Sequence, residues 1–242
     1  MPSAWRLKDG WFRPPSIDKS IPLFLAFSTR SLGDMKDPRR FAAALRKAGL
    51  APAAWAGGEQ VHGTRVLWTA RPSAAPQGAP RTDGAATRRA DLALRVFAAD
   101  CAPVAVVDGK GRALALVHAG WRGTLKGILP KTLRLLRRKA GVRAADVRVT
   151  VGPCIHACCY EVGLDVARFF PRATKPRRGA PGKFSLDLPA ALRAQALRAG
   201  VPAARFRTAP ACTHCDRRFF SFRRDAAPQR NVAVLVRRCG GL

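Results

Sequence analysis

Residues 92–139 read LALRVFAAD CAPVAVVDGK GRALALVHAG WRGTLKGILP KTLRLLRRK, and this stretch decides the fold. Three apolar runs, Leu92 to Ala98, Val104 to Val107 and Leu114 to Val117, are each bounded by turn signals and predict strands. Asp108-Gly109 followed by Lys110-Gly111 connects the last two as a hairpin-like turn. From Gly123 to Lys139 the period changes. Leu125, Ile128, Leu129, Leu133 and Leu136 recur at helical spacing, with Lys126, Arg134, Arg137 and Arg138 on the other faces. Pro130 has no N–H for the helical ladder and is expected to kink or split this helix.

Upstream, Pro22 to Phe27 reads as a strand, Phe41 to Ala48 as a short helix stopped by Gly49, and Arg65 to Ala70 as a strand. Arg71 to Thr82, with three Pro and a Gly, reads as a loop. Downstream, Val147 to Val151 and Val232 to Val236 predict strands, and Leu164 to Phe170 and Pro189 to Arg198 predict helices, the latter closed by Gly200. Strands and helices interleave without a strict repeat or a long linker, which predicts one mixed α/β domain over 1–242. Residues 1–20 form an N-terminal extension in this reading. Residues 172–183, rich in Pro, Gly and basic side chains, form a mobile surface loop.

Apolar residues at 48% and charged ones at 24% describe an ordinary soluble globule, whereas the formal charge of +29 is unusual. It arises from 34 Arg and 10 Lys against 15 acids, a field that attracts polyanions or phosphorylated ligands. Ala-Arg runs along the chain give a blander origin in compositional bias. A single Tyr and the lack of a zinc-finger, RNA-recognition or helix-turn-helix pattern weigh against a nucleic-acid partner. A basic nucleic-acid binder stays as the non-enzyme alternative. Ile21 to Phe27 is too short to span a bilayer, so no membrane partner is expected. The seven Cys, with no secretory hydrophobic segment ahead of them, point to a reducing cytoplasm, where clustered Cys means metal or catalysis more often than disulfides.

Three distant residues read as one metal site: His62 in Gln-Val-His-Gly, Cys101 in Ala-Asp-Cys-Ala-Pro and His118 in His-Ala-Gly-Trp-Arg-Gly. Two imidazoles and a thiolate suit zinc, and three protein ligands leave a fourth position for water or substrate. His118 precedes a tight glycine turn and a helix start, an arrangement that favours anions, and Arg122 inside that turn adds donors for phosphate or carboxylate. Asp100 is placed to orient a ligand or to act as a base. Only two Glu occur, Glu59 and Glu161, both beside motif-like segments, and Glu161 joins Asp100 as a candidate proton carrier. In a second group, Cys154, Cys158 and Cys159 could meet Cys212 and Cys215 as a structural zinc clamp or line a wall as unlinked thiols, with His156 and His214 inside those spacings. Phe219-Phe220-Ser221-Phe222-Arg223-Arg224 offers either stacking for a ring or core Phe with solvated Arg.

Gln-Val-His-Gly (60–63), Ala-Asp-Cys-Ala-Pro-Val (99–104), His-Ala-Gly-Trp-Arg-Gly (118–123), Val-Gly-Pro-Cys-Ile-His-Ala-Cys-Cys-Tyr-Glu-Val-Gly (151–163) and the segment from Cys212 to Arg224 together resemble the laccase-domain family. The likeness runs from about Phe27 to Val236 in the expected order. It implies layered α-β-β-α mixed sheets, similar to cytotoxic necrotizing factor-type cysteine hydrolases, and zinc on His62, Cys101 and His118, with copper as the other metal. It also implies phosphorolysis of adenosine, inosine, guanosine and methylthioadenosine, with purine nucleosides and phosphate as partners, adenosine deamination as a side activity, and a monomer or weak homo-oligomer.

Two departures stand out. The Ser-Leu-Asn-Leu stretch usual after Ser28-Thr29-Arg30 is missing, and Ala-Pro-Gln-Arg-Asn (227–231) stands where relatives have Thr-Gly-Arg. Two enzyme alternatives remain: a Cys101–His118 hydrolase editing a peptidoglycan precursor, and a copper-dependent polyphenol oxidase, which four His scarcely supply.

Overall fold

In a computed structural model of the chain, residues 4–16, 21–50, 54–69 and 79–237 are described. In order they form β1 (Arg6–Lys8), β2 (Trp11–Arg13), β3 (Leu23–Ser28), α1 (Pro38–Lys47), β4 (Ala54–Ala56), β5 (Leu67–Thr69), β6 (Gly84–Thr87) and β7 (Leu92–Ala98). β8 (Ala102–Asp108), β9 (Leu114–Ala119), α2 (Trp121–Leu125), α3 (Ile128–Ala140), β10 (Val147–Val151), β11 (Glu161–Gly163) and α4 (Leu164–Ala167) follow. The chain continues with β12 (Thr174–Pro176), β13 (Lys183–Leu186), α5 (Leu188–Arg198), β14 (Phe206–Thr208), α6 (Phe222–Asp225) and β15 (Asn231–Arg237).

Two mixed six-stranded sheets, ordered β1-β2-β3-β15-β7-β4 and β14-β10-β8-β9-β6-β5, stack face to face, and β11-β13-β12 form a small third sheet. Side-chain alternation builds the layers, because successive strand residues point to opposite faces. Ala105, Val107, Leu114 and Leu116 of the second sheet meet Leu94, Val96, Leu25 and Leu235 of the first in one buried cluster. Their neighbours Val104, Val106, Ala115 and Val117 point the other way, onto Ile128, Leu129, Leu133 and Leu136 of α3 and Leu192 of α5. On the outer face of the first sheet, Ala93, Val232 and Val234 pack on Phe41, Ala44 and Leu45 of α1. The outcome is the expected α-β-β-α order in a single mixed α/β domain.

Local signals explain where helices begin. The Asp37 carboxylate accepts the backbone N–H of Arg39 and Arg40, and Pro38 occupies the first turn, so α1 starts three residues before the predicted Phe41. The long predicted helix is indeed split, though at Gly127, whose φ of +76° separates α2 from α3. Pro130 then lies in the first turn of α3, where the missing N–H has no ladder partner to lose.

The N-terminal segment is integrated into the fold: β1 and β2 extend the first sheet by pairing onto β3. The segment 172–183, read from the sequence as a mobile surface loop, carries β12 and a turn into β13. Most of the loop expected over 71–82 lies outside the described residues. No described helix is long and apolar enough to cross a membrane.

Candidate metal centre

Antiparallel pairing of β8 with β9 puts Pro103 opposite His118, so the start of one strand and the end of the other share one end of the second sheet. The link from β7 to β8 delivers Cys101 to the same end. His62 comes from the segment between β4 and β5. One ligand atom from each of His62, Cys101 and His118 lies within 4.8 Å of the others. The two imidazole rings are 4.9 Å apart, with planes inclined by 72°. The three residues that the sequence placed together thus converge.

The residue that organises them is Asp83, which sequence reasoning missed. Its side chain is fully buried, and Oδ1 lies 3.1 Å from His118 Nδ1. The same carboxylate accepts the backbone N–H of His62 at 2.9 Å and of Gly63 at 2.7 Å. Burial alone would raise the Asp83 pKa, but these hydrogen bonds and the nearby imidazole hold it below the ordinary carboxylate value. An ionised carboxylate only accepts, so Nδ1 of His118 carries the proton and Nε2 is left to face the cluster. His62 itself has φ +59°, a left-handed conformation that the Asp83 contacts stabilise.

Cys101 is set by its neighbour in a similar way. Asp100 has φ +88° and is buried. Its carboxylate accepts from Thr213 Oγ1 at 2.6 Å and from the Arg223 backbone N–H at 2.7 Å, while its carbonyl accepts from the Ile155 N–H at 2.9 Å. Both carboxylate oxygens are thus engaged in the residue that turns the chain into Cys101. Burial disfavours the Cys101 thiolate, but the charge of His118 and hydrogen bonds from both histidines outweigh it and bring the thiol down to about 6. Burial likewise opposes the His118 cation, yet the Cys101 thiolate and Asp83 raise it to about 9.

Gly120 completes the cradle. A Cβ there would lie 2.9 Å from Cys101 Sγ and 3.1 Å from His62 Cδ2, so only glycine lets the donors approach. Two imidazoles and a thiolate, with His118 oriented by a carboxylate behind it, fit a zinc ion and would also suit copper. His156 and His214 lie outside this donor group.

The donors open into a cavity of about 490 Å³. Trp121, Tyr160, Phe97 and Phe222 give it aromatic surface, and Lys36, Arg122, Arg223 and Arg230 give it positive charge. The Arg122 guanidinium lies 4.5 Å over the Trp121 ring. The helix behind it has only five residues, so the anion preference expected of a long helix start rests on Arg122 itself.

Glu161 is not brought to the cluster. It pairs with Arg177 at 3.4 Å and lines a neighbouring cavity of about 270 Å³. Glu59 accepts the Arg81 backbone N–H at 3.2 Å and acts as a loop latch. The Phe run divides: Phe219 and Phe220 are core, whereas Phe222 is 55% exposed and lines the cavity. Tyr160 and Gly120 lie inside motifs read from the sequence without a role assigned to them, and Asp83 lies outside every such motif. The scarcity of acids, applied to Asp83 as it was to the two Glu, is the one signal that could have found it.

The chain matches the family described as multi-copper polyphenol oxidoreductase laccase over residues 34–238. It is 34% identical over 197 residues to the purine nucleoside phosphorylase YlmD of Geobacillus stearothermophilus, a match covering 76% of this chain and 72% of that protein. It is 36% identical over 149 residues to adenosine deaminase RL5 from an unidentified prokaryote, covering 59% of this chain and 56% of that protein. The crystal structure of YlmD from Geobacillus stearothermophilus superposes with a TM-score of 0.86 at 27% identity, covering 98% of this chain and 100% of that one.

Proposed function

This chain belongs to the multi-copper polyphenol oxidoreductase laccase family, and from that premise we propose that it is a zinc-dependent purine nucleoside phosphorylase that also deaminates adenosine. The convergence of His62, Cys101 and His118 within 4.8 Å, at a cavity of about 490 Å³, carries the reading. That volume suits a small-molecule ligand the size of a nucleoside. The names of the similar enzymes, a purine nucleoside phosphorylase and an adenosine deaminase, supply the substrate class.

In this reading His62, Cys101 and His118 hold the ion. When bound, zinc supplies a Lewis acid to whatever group takes its remaining coordination place. Asp83 keeps Nδ1 of His118 protonated and Nε2 directed inward. Asp100 fixes the backbone turn that presents Cys101. Trp121, Tyr160 and Phe222 offer ring faces for a purine. Burial pushes the Tyr160 hydroxyl above its ordinary pKa, so it stays protonated, a donor for a bound ligand in this reading. Arg122 and Arg223 collect phosphate oxygens. In phosphorolysis a phosphate oxygen bonds to the sugar carbon as the carbon–nitrogen bond breaks and its electron pair leaves with the purine. In deamination water replaces the purine amino group, which leaves as ammonia. The test is release of hypoxanthine from inosine with phosphate, measured beside zinc content. Cys101→Ala protein that keeps the wild-type rate would sink the proposal.

One observation favours a second reading. Without metal, a thiol held down to about 6 beside an imidazole held up to about 9 makes a thiolate–imidazolium pair backed by Asp83. That is the layout of a Cys–His hydrolase, the chemistry of a precursor-editing enzyme. Stoichiometric zinc in the purified protein favours the phosphorylase. Metal-free protein alkylated at Cys101 favours the hydrolase. The donor count disfavours multi-copper phenol oxidation, because among the described residues no third histidine joins His62 and His118.

A further inference from the structure

The segment from Cys154 to Tyr160 and the turn from Cys212 to Asp216 lie side by side. Cys154 and Cys212 form a parallel β-bridge, and the Thr213 N–H donates to the Cys154 carbonyl at 3.0 Å. Each segment is folded back on itself: Cys159 and Tyr160 N–H donate to the His156 carbonyl, and Asp216 N–H donates to the Cys212 carbonyl at 2.8 Å. This backbone brings four sulfurs to one point. The Sγ atoms of Cys158, Cys159, Cys212 and Cys215 all lie within 4.8 Å of one another. Cys158 and Cys215 are 3.7 Å apart, and Cys159 and Cys215 are 3.2 Å apart.

Both separations exceed a covalent bond, and the 3.7 Å one is that of two sulfurs on one ion, with the 3.2 Å pair somewhat closer. A tetrahedron of sulfurs about 2.3 Å from a central zinc has edges of about 3.8 Å. A disulfide needs about 2.05 Å. The Cys212 sulfur also accepts the His156 backbone N–H at 3.4 Å, and the His214 and Cys215 N–H groups lie against it. Cys154 stays out of the group, buried in the core between sheet and helices. Four protein ligands close the coordination sphere, the mark of a structural site, in contrast to the three donors at His62.

We propose that Cys158, Cys159, Cys212 and Cys215 bind one structural zinc ion, a second centre that braces the wall of the reaction cavity. Four thiolates and one Zn²⁺ carry a net charge of −2, and their displaced protons go to solvent. The Arg224 guanidinium ties down the turn that carries Cys212 and Cys215, donating to the Thr213 and His214 carbonyls at 2.8 and 2.9 Å. The connection to the cavity is short. Tyr160 follows Cys159 and lines the cavity, while Thr213 follows Cys212 and holds the Asp100 carboxylate next to Cys101.

The test is metal counting with zinc as the probe, and it does not depend on which reaction the chain performs. Wild-type protein loaded with zinc and desalted should hold about two ions per chain. His62→Ala/His118→Ala should retain about one, with Cys158, Cys159, Cys212 and Cys215 protected from a thiol reagent. Cys158→Ser/Cys215→Ser should also retain about one. If that variant fails to fold, cobalt loading of His62→Ala/His118→Ala decides through the intense visible bands of a tetrathiolate site. Zinc-loaded His62→Ala/His118→Ala that holds no metal, or whose four thiols all react freely, overturns the proposal. So does a disulfide among these four in protein purified under reducing conditions.

Discussion

Asp83 Oδ1 lies 3.1 Å from His118 Nδ1, and the same buried carboxylate accepts the backbone N–H of His62. One side chain therefore holds the His118 imidazole and the His62 backbone at the candidate metal centre. Asp83→Asn keeps the shape but loses the acceptor-only carboxylate that fixes the His118 tautomer. Removing such a supporting partner typically weakens metal affinity about 10–100-fold. Zinc affinity measured by competition with a chelator should fall by that factor. Unchanged affinity would show that Asp83 serves folding alone.

Gly120 makes the second prediction because its cost is steric. The added methyl of Gly120→Ala would meet Cys101 Sγ at 2.9 Å, closer than real Cβ contacts, and His62 Cδ2 at 3.1 Å, tighter than most. Backbone strain plays no part, since Gly120 has φ −77°, open to any residue. Zinc content and kcat should therefore drop, while the urea midpoint moves little. A large stability loss with full zinc would refute this account.

The layers were legible because their signals are local and periodic. In β8, Val104 and Val106 face α3 while Ala105 and Val107 face the other sheet, and both faces are apolar, so the strand reads as one continuous run. The short strands β11 and β12 were not legible, since three residues are too few to show a period, Arg, Lys and Pro crowd β12, and the pairing of both is set by β13 further along the chain. At the site, motif residues were readable because rare types recur in fixed local contexts. Asp83 was not, because its role depends on a fold that carries Gly63 and His118 to it from either side along the chain. Glu161 misled for a related reason: it follows Tyr160, which lines the cavity, but the alternation of β11 turns its own side chain away toward Arg177.

Metal-free protein should show an unusual pH dependence at Cys101. Its thiol is held down to about 6, against an ordinary value of 9.0. Above about 7 the sulfur is mostly thiolate, and the fraction falls as pH drops through 6. After chelation, iodoacetamide labelling of Cys101, followed peptide by peptide, should rise with a midpoint near 6 and then level off. His118→Ala removes the principal charge holding the thiol down, so its midpoint should move toward 9. Zinc added beforehand should protect Cys101 throughout.

Leu116 tests the fold apart from the chemistry. It is fully buried between the two large sheets, among Leu94, Val96 and Leu114. Leu116→Ala leaves a cavity where facing strands cannot readily collapse, a loss of about 2–5 kcal/mol. Urea unfolding should register it. Zinc content per folded chain should stay unchanged, as Leu116 belongs to the inter-sheet core and contributes no metal donor.

Arg122 and Glu161 form a paired test of which cavity hosts the reaction. Arg122 lines the larger cavity with Cys101 and His118, whereas Glu161 lines the smaller one and is occupied by Arg177. A hydrogen bond to a charged group contributes about 1.5–3 kcal/mol, so Arg122→Ala should raise KM for phosphate at least about 10-fold. Adenosine deamination, which consumes no phosphate, should be spared by comparison, because lost phosphate binding acts on only one of the two reactions. Glu161→Gln should leave both rates near wild type, since its carboxylate faces away from the donors. Should Glu161→Gln abolish activity while Arg122→Ala does not, the reacting groups lie in the smaller cavity, and the metal centre at His62 is not where the nucleoside binds.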